Sequence, residues 1–340
     1  VKIRVLPSGG VFHTERDEPV LAAALRSHIN LPHSCRSGHC ASCRAQLVSG
    51  TVAYPDGPPL GLTAGEAAAG MVLLCRARAT SDLVVEARAV HPVTDVEIKS
   101  LPCRIETREL LAPDVLRLRL RLPAVESFRF QAGQYLDVLL EGGQRRSFSI
   151  ASPPHDAARL ELHVRHVPGG GFTGRLFAHE GPGALLRIEG PIGQFVYTEA
   201  VTPAIFIAGG TGFAPVKSML RHALERAAPR DIWFYWGART PIDLYEEPLV
   251  REWAAAHPRL RFTAVLSETG MDARGAGRHA GGWVHEAVLA RHPDLSGFDV
   301  YAAGPPAMIE AIRAQFPAQG LAADRLHFDS FDYAPRPAQA

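Results

Sequence analysis

The chain has 340 residues, of which 46% are hydrophobic and 21% charged, and 36 Lys and Arg against 35 Asp and Glu leave a formal net charge of +1. That length holds two or three domains with a core in each, and so even a balance gives no electrostatic reason to expect nucleic acid or an anionic membrane as partner. No apolar run approaches the roughly 18 residues that span a bilayer, which leaves a globular protein of several domains.

In chain order, Lys2–Leu6 and Val11–Thr14 alternate as two short strands, and the opening Val1-Lys2-Ile3-Arg4-Val5 is not expected to be a secretory leader. A helix is predicted over Val20–Ile29, with Pro19 at its start. Cys35, Cys40, Cys43 and Cys75 follow as C-x4-C-x2-C and a distant fourth cysteine. That is the ligand spacing of a plant-type 2Fe–2S cluster. The intervening Arg36-Ser37-Gly38-His39 and Ala41-Ser42 are small enough, on the whole, for a loop that must curl around inorganic sulfide. Disulfides or a structural zinc are the alternatives. Zinc ribbons pair two short knuckles, whereas here three cysteines crowd one loop, so the cluster is the reading adopted. Cys103 has no evident mate and reads as a buried thiol, and five cysteines of which four are ligands fit a reducing cytoplasm. Ala45–Val48 and Leu83–Ala87 read as strands, and Thr63-x-x-Glu66 as a capping box opening a short helix. The segment suits a ferredoxin-like β-grasp module over residues 1–92.

A linker is expected from His91-Pro92 to Lys99-Ser100, where the apolar pattern lapses. Val115–Leu122 then alternates strictly, and Tyr135–Leu140, Arg146–Ala151, Leu160–Val167 and Leu185–Glu189 follow as strands at regular spacing. One helix, Thr173–His179, interrupts them, and the whole predicts an antiparallel barrel over residues 99–198. From residue 199 to 334 the rhythm becomes strand, glycine turn, helix. Ala204–Ala208, Asp231–Trp236, Leu260–Leu266 and Asp299–Ala302 are the strands and Ala214–Arg226 the first helix of a doubly wound parallel sheet. The Pro/Ala-rich tail Ala334–Ala340 is expected to fray.

Three motifs in these segments carry chemistry. Arg146-Ser147-Phe148-Ser149 offers a flavin a cation for its pyrophosphate, an apolar face and a hydroxyl for N5, with Arg146 and Phe148 on one strand face. An alternating surface strand looks much the same. Pro168-Gly169-Gly170-Gly171-Phe172-Thr173 opens a helix, where close backbone amides and the positive helix end favour a phosphate. Read blandly, it is a hairpin loop with an ordinary N-cap. Ala208-Gly209-Gly210-Thr211-Gly212-Phe213-Ala214-Pro215 joins a buried strand to a helix, and Ala303-Gly304-Pro305-Pro306 is a second turn of the kind. Neither is the G-x-G-x-x-G fingerprint, yet glycines at the carboxyl end of a strand allow the same close approach of a nucleotide.

Taken together, the chain resembles the reductase components of bacterial multicomponent oxygenases, within the ferredoxin–NADP reductase superfamily. The resemblance covers essentially the whole chain and keeps the family's order of motifs. It implies that Cys35, Cys40, Cys43 and Cys75 hold the cluster, with Cys35 and Cys40 on one iron. It also implies that FAD is held by Arg146, Ser147, Phe148 and Ser149, by the strand residues His163 to Arg165, and by Gly171, Phe172 and Thr173. Gly210, Thr211, Gly212, Pro215, Gly304 and Pro305 would line the nicotinamide site, with Ser149, Phe148 and Thr211 nearest the reacting atoms. Phe331, in Phe328-Asp329-Ser330-Phe331, falls where relatives place an aromatic by the flavin, although a core phenylalanine is the commoner role for such a residue. Phe148 stands where a tyrosine is common, and Ala303 where many relatives have the cysteine of a C-G-P turn.

Ser267-Glu268 occupies the place where relatives that prefer NADPH put an arginine, and an acid there accepts from ribose and repels a 2′-phosphate. Arg239 argues the other way, and NADH is the expected donor. The 15 histidines show no ligand spacing. The resemblance implies transfer of electrons from NADH through FAD and the cluster to an oxygenase or hydroxylase partner. A reductase for a deoxysugar dehydratase has the same plan, and a non-catalytic redox sensor is the alternative of a different class.

Overall fold

The computed structural model describes residues 1–27, 29, 31–33, 36, 38, 43–59, 61–87, 98–124, 127–156, 159–268 and 279–331. Cys35, Cys40, most of the expected linker and the C-terminal tail lie outside them. The chain divides into two compact units, Val1–Val96 and Glu97–Ala340.

In the first unit the strands β1 (Lys2–Leu6), β2 (Val11–His13), β3 (Arg44–Ser49), β4 (Val52–Ala53), β5 (Met71–Leu73), β6 (Arg78–Ala79) and β7 (Leu83–Glu86) accompany helices α1 (Val20–Arg26) and α2 (Ala64–Ala68). Five of the strands form a sheet in the order β2-β1-β7-β3-β5, with β1 and β7 parallel and the other pairs antiparallel. Ile3, Val5, Val72, Val85 and the α1 face of Val20, Leu21, Ala23 and Ala24 bury together, as a β-grasp layer requires. Helix α1 ends at Arg26, one turn short of the expected Ile29. The capping box forms as expected: the Glu66 N–H donates to Thr63 Oγ1 at 3.2 Å and the Thr63 N–H to Glu66 Oε2 at 2.9 Å.

The second unit begins with β8 (Lys99–Ala112), β9 (Val115–Arg121), β10 (Tyr135–Leu139), β11 (Arg145–Ser149), β12 (Arg159–Arg165), α3 (Gly171–Ala178) and β13 (Leu185–Ile192). Their sheet runs β11-β10-β13-β8-β9-β12, every pair antiparallel. A bridge from Ile150 to Leu162 joins the outer strands β11 and β12 and closes the barrel. Strand β8 is absent from the sequence expectation, which assigns Lys99 and Ser100 to the linker. Its opening does alternate, with Leu101, Cys103 and Ile105 buried, but Pro102 disguises it. At Pro102 the strand pairs only with β13, and the ladder to β9 begins at Arg104, so a residue without an N–H is tolerated there. Cys103 sits in the barrel core, where burial pushes its thiol up to about 12.

The unit continues through β14 (Ala204–Gly209), α4 (Phe213–Glu225), β15 (Ile232–Ala238), α5 (Glu247–Ala256), β16 (Leu260–Leu266), β17 (Ala280–Gly281), α6 (Val284–Arg291), β18 (Asp299–Gly304), α7 (Pro306–Gln315) and β19 (Leu326–Ser330). The sheet order β17-β16-β15-β14-β18-β19 is parallel throughout. Strands β15 to β17 run to one side of β14, and β18 and β19 to the other. The crevice at the carboxyl ends of β14 and β18 is therefore the topological switch point. Strand β14 is buried along its whole length, as a central parallel strand must be.

Candidate functional site

Cys43 immediately precedes β3 and Cys75 lies in the turn after β5, both buried. The Leu74 N–H donates to the Cys43 carbonyl at 3.1 Å, which brings the two cysteines together, and the Cys75 N–H points at Cys43 Sγ at 3.4 Å. Backbone N–H groups aimed at cysteine sulfur stabilise thiolate, the ligating form. Gly38 has φ +88°, and a Cβ there would stand 2.7 Å from Arg76 Cγ and 2.9 Å from Pro59 Cβ. The conformation and the crowding both require glycine. Beside the loop, burial pushes the His33 ring down to about 4, and its Nδ1 lies 2.7 Å from the Leu31 carbonyl. Two buried thiols side by side, with a backbone N–H aimed at one of them, suit an iron–sulfur cluster.

On the barrel, Arg146 and Phe148 lie opposite Val138 and Leu136 in the β10–β11 register, while Ser147 and Ser149 lie opposite Asp137 and Tyr135. Arg146 and Phe148 thus share a face, and Ser149 belongs to the other. Phe148 packs against the barrel core, and its ring centroid is 5.9 Å from that of Phe172 in α3. The arginine strand and the Gly171–Thr173 turn are therefore adjacent. Thr173 Oγ1 accepts from the Val167 N–H at 3.2 Å and so ties the glycine loop back to β12. Among the described residues the half-buried Arg146 is held by the Arg145 carbonyl at 2.8 Å and the Gln144 side chain at 3.4 Å, with no carboxylate against it, leaving its charge available to an anion. Ser147 differs, since its hydroxyl donates to Asp137 at 2.6 Å.

At the switch point the two glycine turns meet backbone to backbone. A Cβ on Gly212 would lie 2.0 Å from the Ala303 carbonyl oxygen, and one on Gly304 would lie 2.9 Å from Gly209 Cα. Gly210, at φ +53°, instead faces the Arg165 guanidinium, which its Cβ would approach to 3.3 Å. Arg165 reaches this turn from the barrel and has two buried nitrogens, Nε and Nη2, without a hydrogen bond among the described residues, although Nε lies 3.4 Å from Asp114. A half-paired, largely shielded cation against a glycine turn is a ready anion site. Pro215 is buried within α4, and Phe331 packs on the nucleotide-side core, its N–H donating to the Gly304 carbonyl at 2.8 Å. Glu268 is exposed just past β16, and its N–H donates to the Arg239 carbonyl at 3.0 Å.

His163 has a different surrounding from that of the other candidates. Its side chain is fully buried where β12 faces α4, its Nε2–H donating to Glu161 Oε1 at 3.0 Å and its Nδ1 accepting from the Tyr245 hydroxyl at 3.0 Å. Lys217 Nζ completes the cluster, 2.7 Å from Glu161 Oε1 and 2.6 Å from Glu246 Oε2. Arg117 approaches Glu246 to 3.4 Å from the rim. The ligand atoms of Glu161, His163 and Glu246 lie within 4.8 Å of one another, but the Lys217 ammonium fills the place a metal ion would take. Burial opposes ionisation of Glu161, yet the bonds from His163 and Lys217 outweigh it and hold that carboxyl far below the usual glutamate range. Burial likewise lowers His163 and keeps it neutral, the bond to Glu161 offsetting only part of the effect. Sequence reasoning does not single out Lys217, Glu161, Glu246 or Tyr245. One signal exists, a lysine inside the apolar run Phe213–Leu220, but its partners lie far away in the sequence.

A small thiol-lined module, a barrel with a phosphate-ready turn and a parallel sheet with paired glycine turns define an electron-transfer oxidoreductase of the flavin and iron–sulfur class. Comparison with known families agrees, segment by segment. Residues 3–80 match the 2Fe-2S iron-sulfur cluster binding domain, 102–197 the oxidoreductase FAD-binding domain and 206–314 the oxidoreductase NAD-binding domain. The chain is 39% identical to the CDP-6-deoxy-L-threo-D-glycero-4-hexulose-3-dehydrase reductase of Yersinia pestis, over 97% of this chain and 98% of that protein. It is 36% identical to terephthalate 1,2-dioxygenase reductase component 2 of Comamonas sp, over 98% of each. The crystal structure of the Amycolatopsis cytochrome P450 reductase GcoB superposes with a TM-score of 0.80 at 33% identity, covering 97% of this chain and 98% of that one. The chain belongs to this family of three-module reductases, which serve oxygenases and deoxysugar dehydratases alike. Among the described residues no helix is long and apolar enough to cross a membrane.

Proposed function

We propose that the chain oxidises NADH and delivers the electrons singly to the oxygenase or hydroxylase component of a multicomponent system, in the cytoplasm. The observation that carries this reading is the succession of cluster, flavin and nucleotide modules over a length shared almost entirely with the Comamonas and Amycolatopsis reductases. When bound, FAD exchanges a hydride for single electrons and the cluster carries one electron at a time. The residues hold and order these groups. Cys35, Cys40, Cys43 and Cys75 ligate the irons. Arg146 neutralises the flavin pyrophosphate, aided by the Gly171, Phe172 and Thr173 turn, while Phe148, Ser149 and Phe331 bound the ring. Gly210, Thr211, Gly212, Pro215, Gly304 and Pro305 shape the nucleotide crevice, with Arg165 supplying charge and Glu268 meeting the adenosine ribose. His163 acts from the Lys217 cluster as a positioning residue. The proposed modules span residues 1–92, 99–198 and 199–334.

A dehydratase as acceptor is the second reading, favoured by the 39% identity to the Yersinia reductase. The test is an absorption spectrum together with steady-state turnover. Flavin and iron–sulfur bands, and NADH-driven ferricyanide reduction with a higher kcat/KM than NADPH gives, are expected. Cys43→Ala should keep ferricyanide reduction and lose reduction of the natural acceptor. Equal loss of both in a folded, FAD-loaded variant would overturn the electron order, and a colourless protein would overturn the reading itself.

A further inference from the structure

The carboxyl ends of β15 and β16 bring an arginine and a glutamate side by side. The Ser267 N–H donates to the Ala238 carbonyl at 2.9 Å and the Glu268 N–H to the Arg239 carbonyl at 3.0 Å, so Arg239 and Glu268 are neighbours just past the strand ends. An acid in such a place favours a free ribose hydroxyl, and an arginine favours a 2′-phosphate. The sequence therefore carries two opposed signals. Asp243 separates them. It opens out of the turn after β15 with its side chain only 7% exposed, against 60% for Arg239. Its Oδ2 accepts from the Thr240 N–H at 3.2 Å and the Thr240 hydroxyl at 3.3 Å, and its Oδ1 accepts from Arg239 Nη2 at 3.2 Å. The carboxylate is thus the fixed member of the pair and the guanidinium the tethered one. Burial opposes ionisation of Asp243, but the bonds from Arg239 and Thr240 outweigh it. Among the described residues, the charged groups acting on this pair are Arg165 and Asp114 from the barrel and Glu268 from the neighbouring strand. Among these described groups, two guanidinium groups meet three carboxylates.

We propose that Asp243 is a specificity-determining residue, which makes the chain prefer NADH by holding Arg239 in an ion pair and out of reach of a 2′-phosphate. This rests on the reading of the crevice as a nicotinamide nucleotide site. Asp243→Asn keeps the acceptor for Thr240 and removes the charge that holds Arg239. Charge-assisted bonds to phosphate support an expected gain of about tenfold in kcat/KM for NADPH, with NADH changed less than about threefold. Binding of adenosine 2′,5′-bisphosphate, measured by calorimetry, should tighten by a similar factor, and that of 5′-AMP should not. Adding Arg239→Ala should abolish both gains, because the freed guanidinium is their source. Arg239→Ala in the parent protein removes an exposed side chain, and it should leave bisphosphate affinity within twofold. A tenfold loss there would show Arg239 already in use and overturn the proposal. So would an Asp243→Asn protein that oxidises NADH with unchanged bisphosphate affinity, or a gain that survives Arg239→Ala. Failure of the parent protein to oxidise NADH at all would instead sink the functional reading on which this one stands.

Discussion

Replacing Lys217 by methionine removes the one ammonium that two buried carboxylates share while preserving most of the side-chain volume. Glu161, Glu246 and Lys217 are all under one tenth exposed, so water cannot take the ammonium's place without opening the contact between β12 and α4. Breaking a buried ion pair from one side costs about 3–5 kcal/mol. A domain of this size loses roughly 2–4 °C of transition temperature per kcal/mol, so the transition of the second unit should fall by roughly 6–20 °C at pH 8. Two carboxylates left facing each other share a proton, so the deficit should shrink as the pH is lowered towards 5. Adding Glu246→Gln should restore a large part of the loss by removing the repulsion. Differential scanning calorimetry of the three proteins at both pH values measures this. A Lys217→Met transition within about 2 °C of the parent at pH 8 would mean that these charges are not buried together, and the description of the cluster would fall.

Gly212→Ala forces a Cβ into the Ala303 carbonyl at 2.0 Å, and overpacking of this kind costs about 1–3 kcal/mol. The strain falls on both glycine turns, so KM for NADH should rise with little change in flavin content, and an unaltered KM would refute the packing argument. Stability should also fall on acidification. His163 and His327 are pushed below the ordinary histidine value of 6.5 by burial, so the unfolded chain takes up protons first and their contribution, complete above about pH 6.5, declines below it. Glu161, with a lowered value, keeps its contribution until the pH drops below the ordinary glutamate value of 4.5. A fall of about 1–2 kcal/mol between pH 7 and 5 is expected from urea unfolding, and a flat or rising midpoint would contradict it.

Much of this architecture is written in local pattern. Strict alternation marks β9, the glycine turns mark the ends of β14 and β18, and Thr63-x-x-Glu66 marks α2, because each depends on neighbours a few residues away. The misses have the opposite character. Strand β8 is hidden by Pro102, whose tolerance depends on which side of the strand is paired, and β19 (Leu326–Ser330) is given its strand identity by β18. Helix α1 stops early for no reason visible in Ser27 alone. The cluster around Lys217 joins residues drawn from three separate stretches of chain, so no window of sequence contains it. Asp243 is equally hidden in the sequence, because its tie to Arg239 is a side-chain hydrogen bond.

The seam between Gly209–Gly212 and Ala303–Gly304 also constrains how such a sheet can change over time or under engineering. With main chain touching main chain across two strands, neither loop has room to acquire a side chain, an insertion or a new curvature by itself. Grafting one of them from a relative therefore carries the other along, and the pair behaves as a single inheritable part.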